Sequence, residues 1–479
     1  MRKILYSALL ASTCFVASSC ADWFDINPNT DVTAEKLFST EDGYYSALQG
    51  VYVSMTKQSS YGEEFTFGFM DQLAQIYDYM PDGISNPNAI YTYNGNNAYG
   101  SKSRIENIWK SSYNAIANTN NLIKWLDKQG SSVVKNPQNL KMLYGEAYAL
   151  RAFLHFDILR AWGEMSYSYN PIEEVKVMPY RTEANSDRKP LLKTSEVIAN
   201  ILSDLGKARE YLSYEKDMNI KKSAVMHDDR RFRLNYHAVN AMLARVHSYN
   251  QNSEEAIKYA KEVIENCGLE LVTGNDQDPA LYAETIFGLN LDKMEELIKS
   301  KFTEGDKLTT HLYTNIQKYE TIFGVSGTSV GDMRAKSTAF FRFQGEGKII
   351  TRKYTTNNNK IIPLIRLPEM YYILTEMSPI DECAEYINTV RNKRGYSISN
   401  NVRIANESER VNALNDEYRK EFFAEGQYFF FLKKYGISDL KYAGGVRLGK
   451  ERYVFPLPDA EKEYGWIEEE EQEESKEGK

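Results

Sequence analysis

Cys20 is the residue whose surroundings announce a chemistry most clearly. Arg2 and Lys3 give a basic start, an apolar stretch runs from Ile4 to Val16, and Ala17-Ser18-Ser19 place small side chains directly before the thiol, as a processing peptidase requires. Cleavage there makes 1–19 a signal peptide and leaves Cys20 as a lipid-modified N-terminus. The apolar run is too short to span a bilayer core. Several acyl chains, at roughly 0.8 kcal/mol per buried methylene, suffice for stable anchoring.

Other reactive residues fall into no catalytic pattern. His155, His227, His237, His247 and His311 show no HExxH or other metal spacing, and neither Cys267 nor Cys383 has a CxxC partner. No metal and no cofactor is expected. Gly345-Glu346-Gly347-Lys348-Ile349 has the look of a phosphate loop, but Arg342 stands where the first glycine belongs and Ile349 where Ser or Thr does, so it reads as a turn between strands. There is no GxSxG elbow. Carboxylates such as Asp71, Asp78, Glu146 and Glu164 need geometry before any pair can be nominated for acid/base work. In an oxidising compartment Cys267 and Cys383 could pair, although thiols so far apart in sequence are more often separate and buried.

The elements that must position these residues are helical almost throughout. Leu143, Ala147, Leu150, Leu154 and Ile158 form one apolar stripe, and Ala149, Phe153, Phe156 and Arg160 a second face, so this helix needs neighbours on both sides. Asn235 to Gly268 reads as a helix pair turning at Asn250 to Ser253, similar in length and small crossing residues to a tetratricopeptide unit. A further pair spans Pro368 to Arg394, with Pro379 in the first turn of its second helix. Segments 22–35, 81–103, 163–190 and 303–365 read as loops with a few short strands, Lys348 to Thr351 among them. Trp109 lies at helical spacing and reads as core.

Composition narrows the possible partners. The chain has 479 residues and no Pro/Gly/Ser-rich linker, which favours one large unit over 20–467. Of the net charge of −8, the acidic tail 468–479 carries −5 from seven Glu and two Lys, leaving about −3 on the body and arguing against nucleic acid. Tyrosine is in excess, 35 against 21 Phe and 5 Trp. Its flat face and polar tip suit half-apolar ligands, or else fill helix interfaces.

Asp25-Ile26-Asn27-Pro28, followed by Phe38, Ala47, Gly50 and Tyr52, resembles the opening of the SusD/RagB outer-membrane nutrient-binding lipoproteins of Bacteroidota. Further similarities follow in order. Glu146-Ala147-Tyr148-Ala149-Leu150-Arg151-Ala152-Phe153 with Gly163 resembles the family's central helix, and Asp332-Met333-Arg334 and Arg366-Leu367-Pro368-Glu369 resemble two later signatures. Asn388-Thr389-Val390-Arg391 ending in Gly395 is similar to N-x-V-R-x-R-A-G, and Glu417, Glu421-Phe422 and Glu425-Gly426 to E-x-x-x-E-F-x-x-E-G. Tyr453 to Pro458 resembles the closing strand. The chain departs where Tyr428 and Phe431 replace an Arg and an Asp, and where Lys393-Arg394 replaces Arg-Ala. Joint loss of a buried ion pair is compatible with an intact fold.

The resemblance implies a mainly α SusD-like fold of tetratricopeptide-like helix pairs with a looped ligand face, sitting as a lid on a TonB-dependent SusC-like transporter. It implies capture of a glycan or peptide, most simply an oligosaccharide, without catalysis, at the outer face of the outer membrane. Asp22 and Asp25, soon after Cys20, accord with export to that face. By location alone, the family's stacking segment falls on Tyr77, Asp78, Tyr91, Tyr93 and Asn94. A second cluster, Tyr313, Tyr319 and Phe323, rests on composition and loop placement. A surface glycoside hydrolase, marked by two carboxylates facing across a cleft, and a helical-repeat protein-interaction scaffold are the alternatives.

Overall fold

The computed structural model describes residues 33–78, 101–165, 175–220, 229–273, 278–291, 294–302, 312–324, 331–335, 340–343, 347–354, 360–440 and 447–465. Cys20, Tyr91, Tyr93, Asn94 and the acidic tail lie outside them.

Helices α1 (Glu41–Met55), α2 (Phe69–Leu73), α3 (Ser101–Trp125), α4 (Pro137–Trp162) and α5 (Thr194–Tyr211) build the N-terminal half of the frame. Helix α4 starts where Asn136 accepts from the N–H groups of Gln138 and Asn139 and Pro137 fills the first turn; it stops where the N–H of Gly163 closes on Leu159. From Ala149 to Trp162 every residue of α4 is buried, because α3, α5 and the later helix Tyr236–Tyr249 cover it from several sides. This is the arrangement its two apolar faces demand. Gly145 permits the closest approach to α5, since a Cβ there would sit 2.5 Å from the Leu212 side chain.

The expected pair over 235–268 is present as α6 (Tyr236–Tyr249) and α7 (Ser253–Asn266), each capped by an Asn, with the chain reversing through residues 250–252. The later pair follows the strand Ile361–Arg366 as α10 (Leu367–Met377) and α11 (Ile380–Lys393). Pro379 caps α11 from just outside, its carbonyl accepting from Glu382 and Cys383, whereas the sequence reading places it inside the first turn. Helices α12 (Glu407–Glu421) and α13 (Gln427–Tyr435) complete the frame.

Short antiparallel strands fill the intervals. β1 (Lys176–Met178) pairs with β2 (Leu192–Lys193), and β3 (Thr285–Asn290) with β7 (Ile361–Arg366). β4 (Thr314–Asn315) and β5 (Phe341–Phe343) flank β6 (Lys348–Thr351), so Gly347, in the left-handed region, leads into a strand as the failed phosphate-loop pattern predicts. Helix α8 (Met294–Phe302) ends just before the segment expected to be irregular from residue 303, and α9 (Ile316–Phe323) interrupts it.

Many tyrosines among the described residues sit in the core. Tyr44, Tyr61, Tyr372, Tyr428 and Tyr453 are fully buried, their hydroxyls donating to Trp125 O, Asp157, Glu417, Asn415 and Ile437 O. Trp109 is buried against Trp162. Cys267 and Cys383 are free, separate and buried. No helix among the described residues is long and apolar enough to cross a membrane.

Candidate functional site

The charged residues of the sequence signatures meet in one buried network. Arg334 forks onto Asp332 (3.0 and 2.9 Å) and spans Glu417 (2.8 Å) and Glu421 (2.9 Å). Arg391 donates to Glu417 at 2.8 Å, and Arg366 to Glu421 at 2.7 Å and Glu425 at 2.9 Å. Arg394, at one of the departures, lies between Glu421 and Glu284, so its added charge is matched within the core. Burial alone would raise the carboxyl of Glu417, but Arg334, Lys420 and Arg391 hold it at about 2. Such a network fixes geometry; with every carboxylate engaged by cations, none stands free to move a proton.

Of the four carboxylates singled out by sequence, Glu146, Asp78 and Glu164 are in ion pairs. Glu146 accepts from Arg230 (2.5 Å), Arg233 (2.8 Å) and Tyr52 (2.7 Å). Asp71 is sealed in the core, where burial raises its carboxyl well above the usual range, and it accepts from the N–H of Gly426 at 3.2 Å. Asp78 pairs with Lys318, and Glu164 with Lys450. At the other departure, Tyr428 and Phe431 lie nearly parallel at 6.3 Å, and Phe431 stacks on Tyr418 at 4.4 Å. Apolar packing replaces the expected ion pair.

The two ring clusters predicted to touch ligand join at their stems. The N–H of Asp78 donates to Tyr313 O at 2.8 Å, Thr314 Oγ1 to Ile76 O at 2.8 Å, and Asn315 N–H to Asp78 Oδ2 at 2.5 Å. Lys318 Nζ closes the joint on the carbonyls of Gln75 and Tyr77. Yet Tyr77, Tyr319 and Phe323 do not offer stacking faces in the described structure. Tyr77 packs edge-on to Phe423; Tyr319 and Phe323 pack on each other and on Phe341, with the Tyr319 hydroxyl on Ala335 O. Burying ring area beneath the β4–β6–β5 sheet outweighs exposing it. The exposed apolar groups of this face are others, Ile316 (48% exposed) and Phe343 (47%), beside Tyr313 with Lys348 Nζ 5.4 Å from its ring.

A groove of about 780 Å³ opens between α1, the end of β3 and α8. Gln49, Tyr52, Val53 and Thr56, one face of α1, form a wall continued by Lys57 and Gln58; Asn290, Glu296 and Ser300 stand opposite, over a floor of Phe232, Arg233 and Leu289. Its volume lies within the ~300–1,000 Å³ of small-molecule sites. Its lining mixes the amides of Gln49, Gln58 and Asn290 and the hydroxyls of Thr56 and Ser300 with the charged Lys57, Arg233 and Glu296 and with apolar surface from Phe232, Leu289, Leu291 and Val53, 63% exposed. That lining suits a hydroxyl-rich ligand with apolar faces. Sequence reasoning missed it because the walls converge only through tertiary packing; an exposed Val within the polar face Gln49–Thr56 was the one available signal.

A family model described as "Starch-binding associating with outer membrane" matches residues 22–247, and the model of the SusD family matches residues 303–476. The chain belongs to the SusD family. SusD-like protein P38 of Formosa agariphila is 22% identical, over 95% of this chain and 96% of its own length. SusD-like protein P25 of the same organism is 23% identical over 64% of this chain, which spans about half of that relative (54%). Among solved structures, a SusD superfamily protein from Bacteroides thetaiotaomicron superposes with a TM-score of 0.69 at 19% identity, covering 89% of this chain and 98% of that one. A SusD-like carbohydrate binding protein from Bacteroides vulgatus superposes with a TM-score of 0.68 at 14% identity, covering 89% and 97%.

The SusD signatures therefore mark the scaffold. Asp332, Arg334, Arg366, Arg391, Glu417, Glu421 and Glu425 are ion-pair partners in the core, and Glu369 pairs with Arg245. None of them lines the groove. In this chain these residues hold the frame, and the groove is built from others.

Proposed function

We propose that the chain captures an oligosaccharide at the outer surface of the outer membrane and passes it to a SusC-like TonB-dependent transporter, without catalysis. The observation that carries this reading is the amide- and hydroxyl-lined groove beside α1. Ligand enters the groove, and Tyr91, Tyr93 and Asn94 are assigned to the same ligand from their sequence alone. The body formed by residues 20–467 is held to the membrane through acylated Cys20, and that shared membrane keeps the transporter at high effective concentration. Support comes from the family's description as starch-binding and outer-membrane-associated.

Calorimetry against neutral oligosaccharides and, in parallel, peptides tests the reading. Two or three ring contacts and a handful of hydrogen bonds correspond to affinities from about millimolar to micromolar. Gln58→Ala/Asn290→Ala and Tyr91→Ala/Tyr93→Ala should each weaken binding of the same sugar while melting temperature is retained. Binding of peptides alone, or sugar binding untouched by both double variants, would overturn it. Mild detergent extraction should co-purify a β-barrel transporter.

A further inference from the structure

At the C-terminal end of α4, a cavity of about 60 Å³ lies among α4, α6, α10, α12 and α13 and shares no lining residue with the groove. Phe156, Ile373, Phe430 and Phe431 give it apolar walls, and the half-buried Glu164, Tyr418, Gln427 and Lys434 mark where it meets solvent. At about 10–15 Å³ for each water-sized position, it has room for about four to six such groups.

Most of the charges around this cavity are paired. Arg245 forks onto Glu369 at 2.5 and 2.6 Å, Arg160 is bonded to Asp157, Lys434 to Glu376, and Glu164 to Lys450. Lys433 is the exception. It is 3% exposed, and its Nζ donates to Ala161 O at 2.7 Å, one of the last carbonyls of α4. That single acceptor leaves two of its three N–H donors without a protein partner among the described residues. Burial pushes its ammonium well below the usual lysine range, opposed by the charge of Glu164, which is itself held by Lys450. No carboxylate of α13 relieves this, because Phe431, where the SusD pattern has an Asp, packs its ring on Tyr418 at 4.4 Å. Gln427 Oε1 accepts from Arg160 at 3.0 Å, so its Nε2 is left as a donor at the rim beside the Tyr418 hydroxyl.

We propose that this cavity binds a short-chain monocarboxylate, its carboxylate taken by Lys433, Tyr418 and Gln427 and its hydrocarbon end by Phe156, Ile373 and Phe430. The open positions are N–H and O–H donors, and a carboxylate only accepts. It also brings the counter-ion that Lys433 lacks, turning a lone buried cation into a charge-assisted pair. A halide would leave the apolar wall uncovered, and a pyranose exceeds the volume. The bound acid would be gripped from several helices at once, apart from the groove.

Calorimetry of the full protein at constant ionic strength tests this, with sodium acetate, propionate and butyrate as probes and propionamide and sodium chloride as controls. Wild type should bind propionate with a Kd of about millimolar or tighter, and both controls at least about tenfold more weakly. Lys433→Met, of similar length without the charge, should lose at least about tenfold in propionate affinity while still melting cooperatively. Tyr418→Phe, which removes one hydroxyl, should weaken propionate about threefold or more, and it decides the matter should Lys433→Met fail to fold. The proposal is overturned if wild type binds none of the three acids, if propionamide binds as well as propionate, or if the folded variants bind propionate as wild type does. Propionate should leave oligosaccharide binding in the groove unchanged, so this outcome stands apart from that of the capture reading.

Discussion

Arg394 holds Glu284 with both terminal guanidinium nitrogens, Nη1 to Oε1 at 3.0 Å and Nη2 to Oε2 at 2.7 Å, in a site neither residue shares with solvent. Its Nε and Nη2 fork equally onto Glu421 at 3.0 and 2.8 Å. One side chain thereby ties the residue just before β3 to the last residue of α12.

Removing that tie should be costly. Arg394→Ala leaves two buried carboxylates short of a cation, and loss of one partner from a buried pair costs about 3–5 kcal/mol. Urea denaturation followed by circular dichroism should show this loss. Arg394→Met/Glu284→Gln, which removes charge from both sides, should cost less than Arg394→Ala alone; a larger loss would mean that the network does not act as a unit.

Acid should unfold the protein through the same residues. Arg394 and Arg366 hold Glu421 well below the usual carboxylate range against the opposing effect of burial, and Glu417 is held at about 2. Folded-state values below the unfolded one mean that their stabilisation is present above about pH 4.3 and is lost as pH falls toward 2. Thermal melts from pH 7 to 2 should fall steeply in that window. In Glu417→Gln, lower in stability at pH 7, the slope should be shallower.

Gly426 should tolerate no side chain. Its φ is +75°, and a Cβ would lie 2.3 Å from Phe65 O. Gly426→Ala should cost at least about 2 kcal/mol, combining the left-handed penalty with displacement of backbone. Gly50 provides the contrast: it lies inside α1 with nothing within 4 Å of a Cβ, so Gly50→Ala should stabilise by about 0.5–1 kcal/mol. Paired chemical melts decide both.

Cys267 and Cys383 should be silent in the native state. On a Cys20→Ser background, a thiol reagent should label neither in buffer and both in guanidinium, with no change in melting temperature on adding reductant. Rapid native labelling would contradict the buried positions.

Much of the frame is legible in the sequence because a buried helix must repeat its apolar residues at steps of three and four. Leu143 to Ile158 and the pair over 235–268 show this directly. Lys348 to Thr351 is legible as a strand from its β-branched run. The ligand face is harder, since exposure is a tertiary property: Tyr319 and Phe323 have the composition of a binding loop, yet the neighbouring sheet covers them, while Ile316 and Phe343 carry no distinguishing local pattern. Gln58 and Asn290 share a groove although far apart in the chain. Arg394 reads as a departure from its family, and only its placement beside Glu284 reveals what balances it.

Backbone hydrogen bonds clasp the chain around Tyr313. Leu312 N–H donates to Lys301 O at 2.8 Å, fastening the chain on both sides of 303–311, and the Asp78–Tyr313 bond fastens the start of 79–100 to the same place. A connection pinned at its base can be lengthened at little entropic expense, about 0.6 kcal/mol for each doubling. The first clasp makes Phe302 and Leu312 a finished mount: a segment of another length grafted between them leaves the stability of the body beneath it largely unchanged.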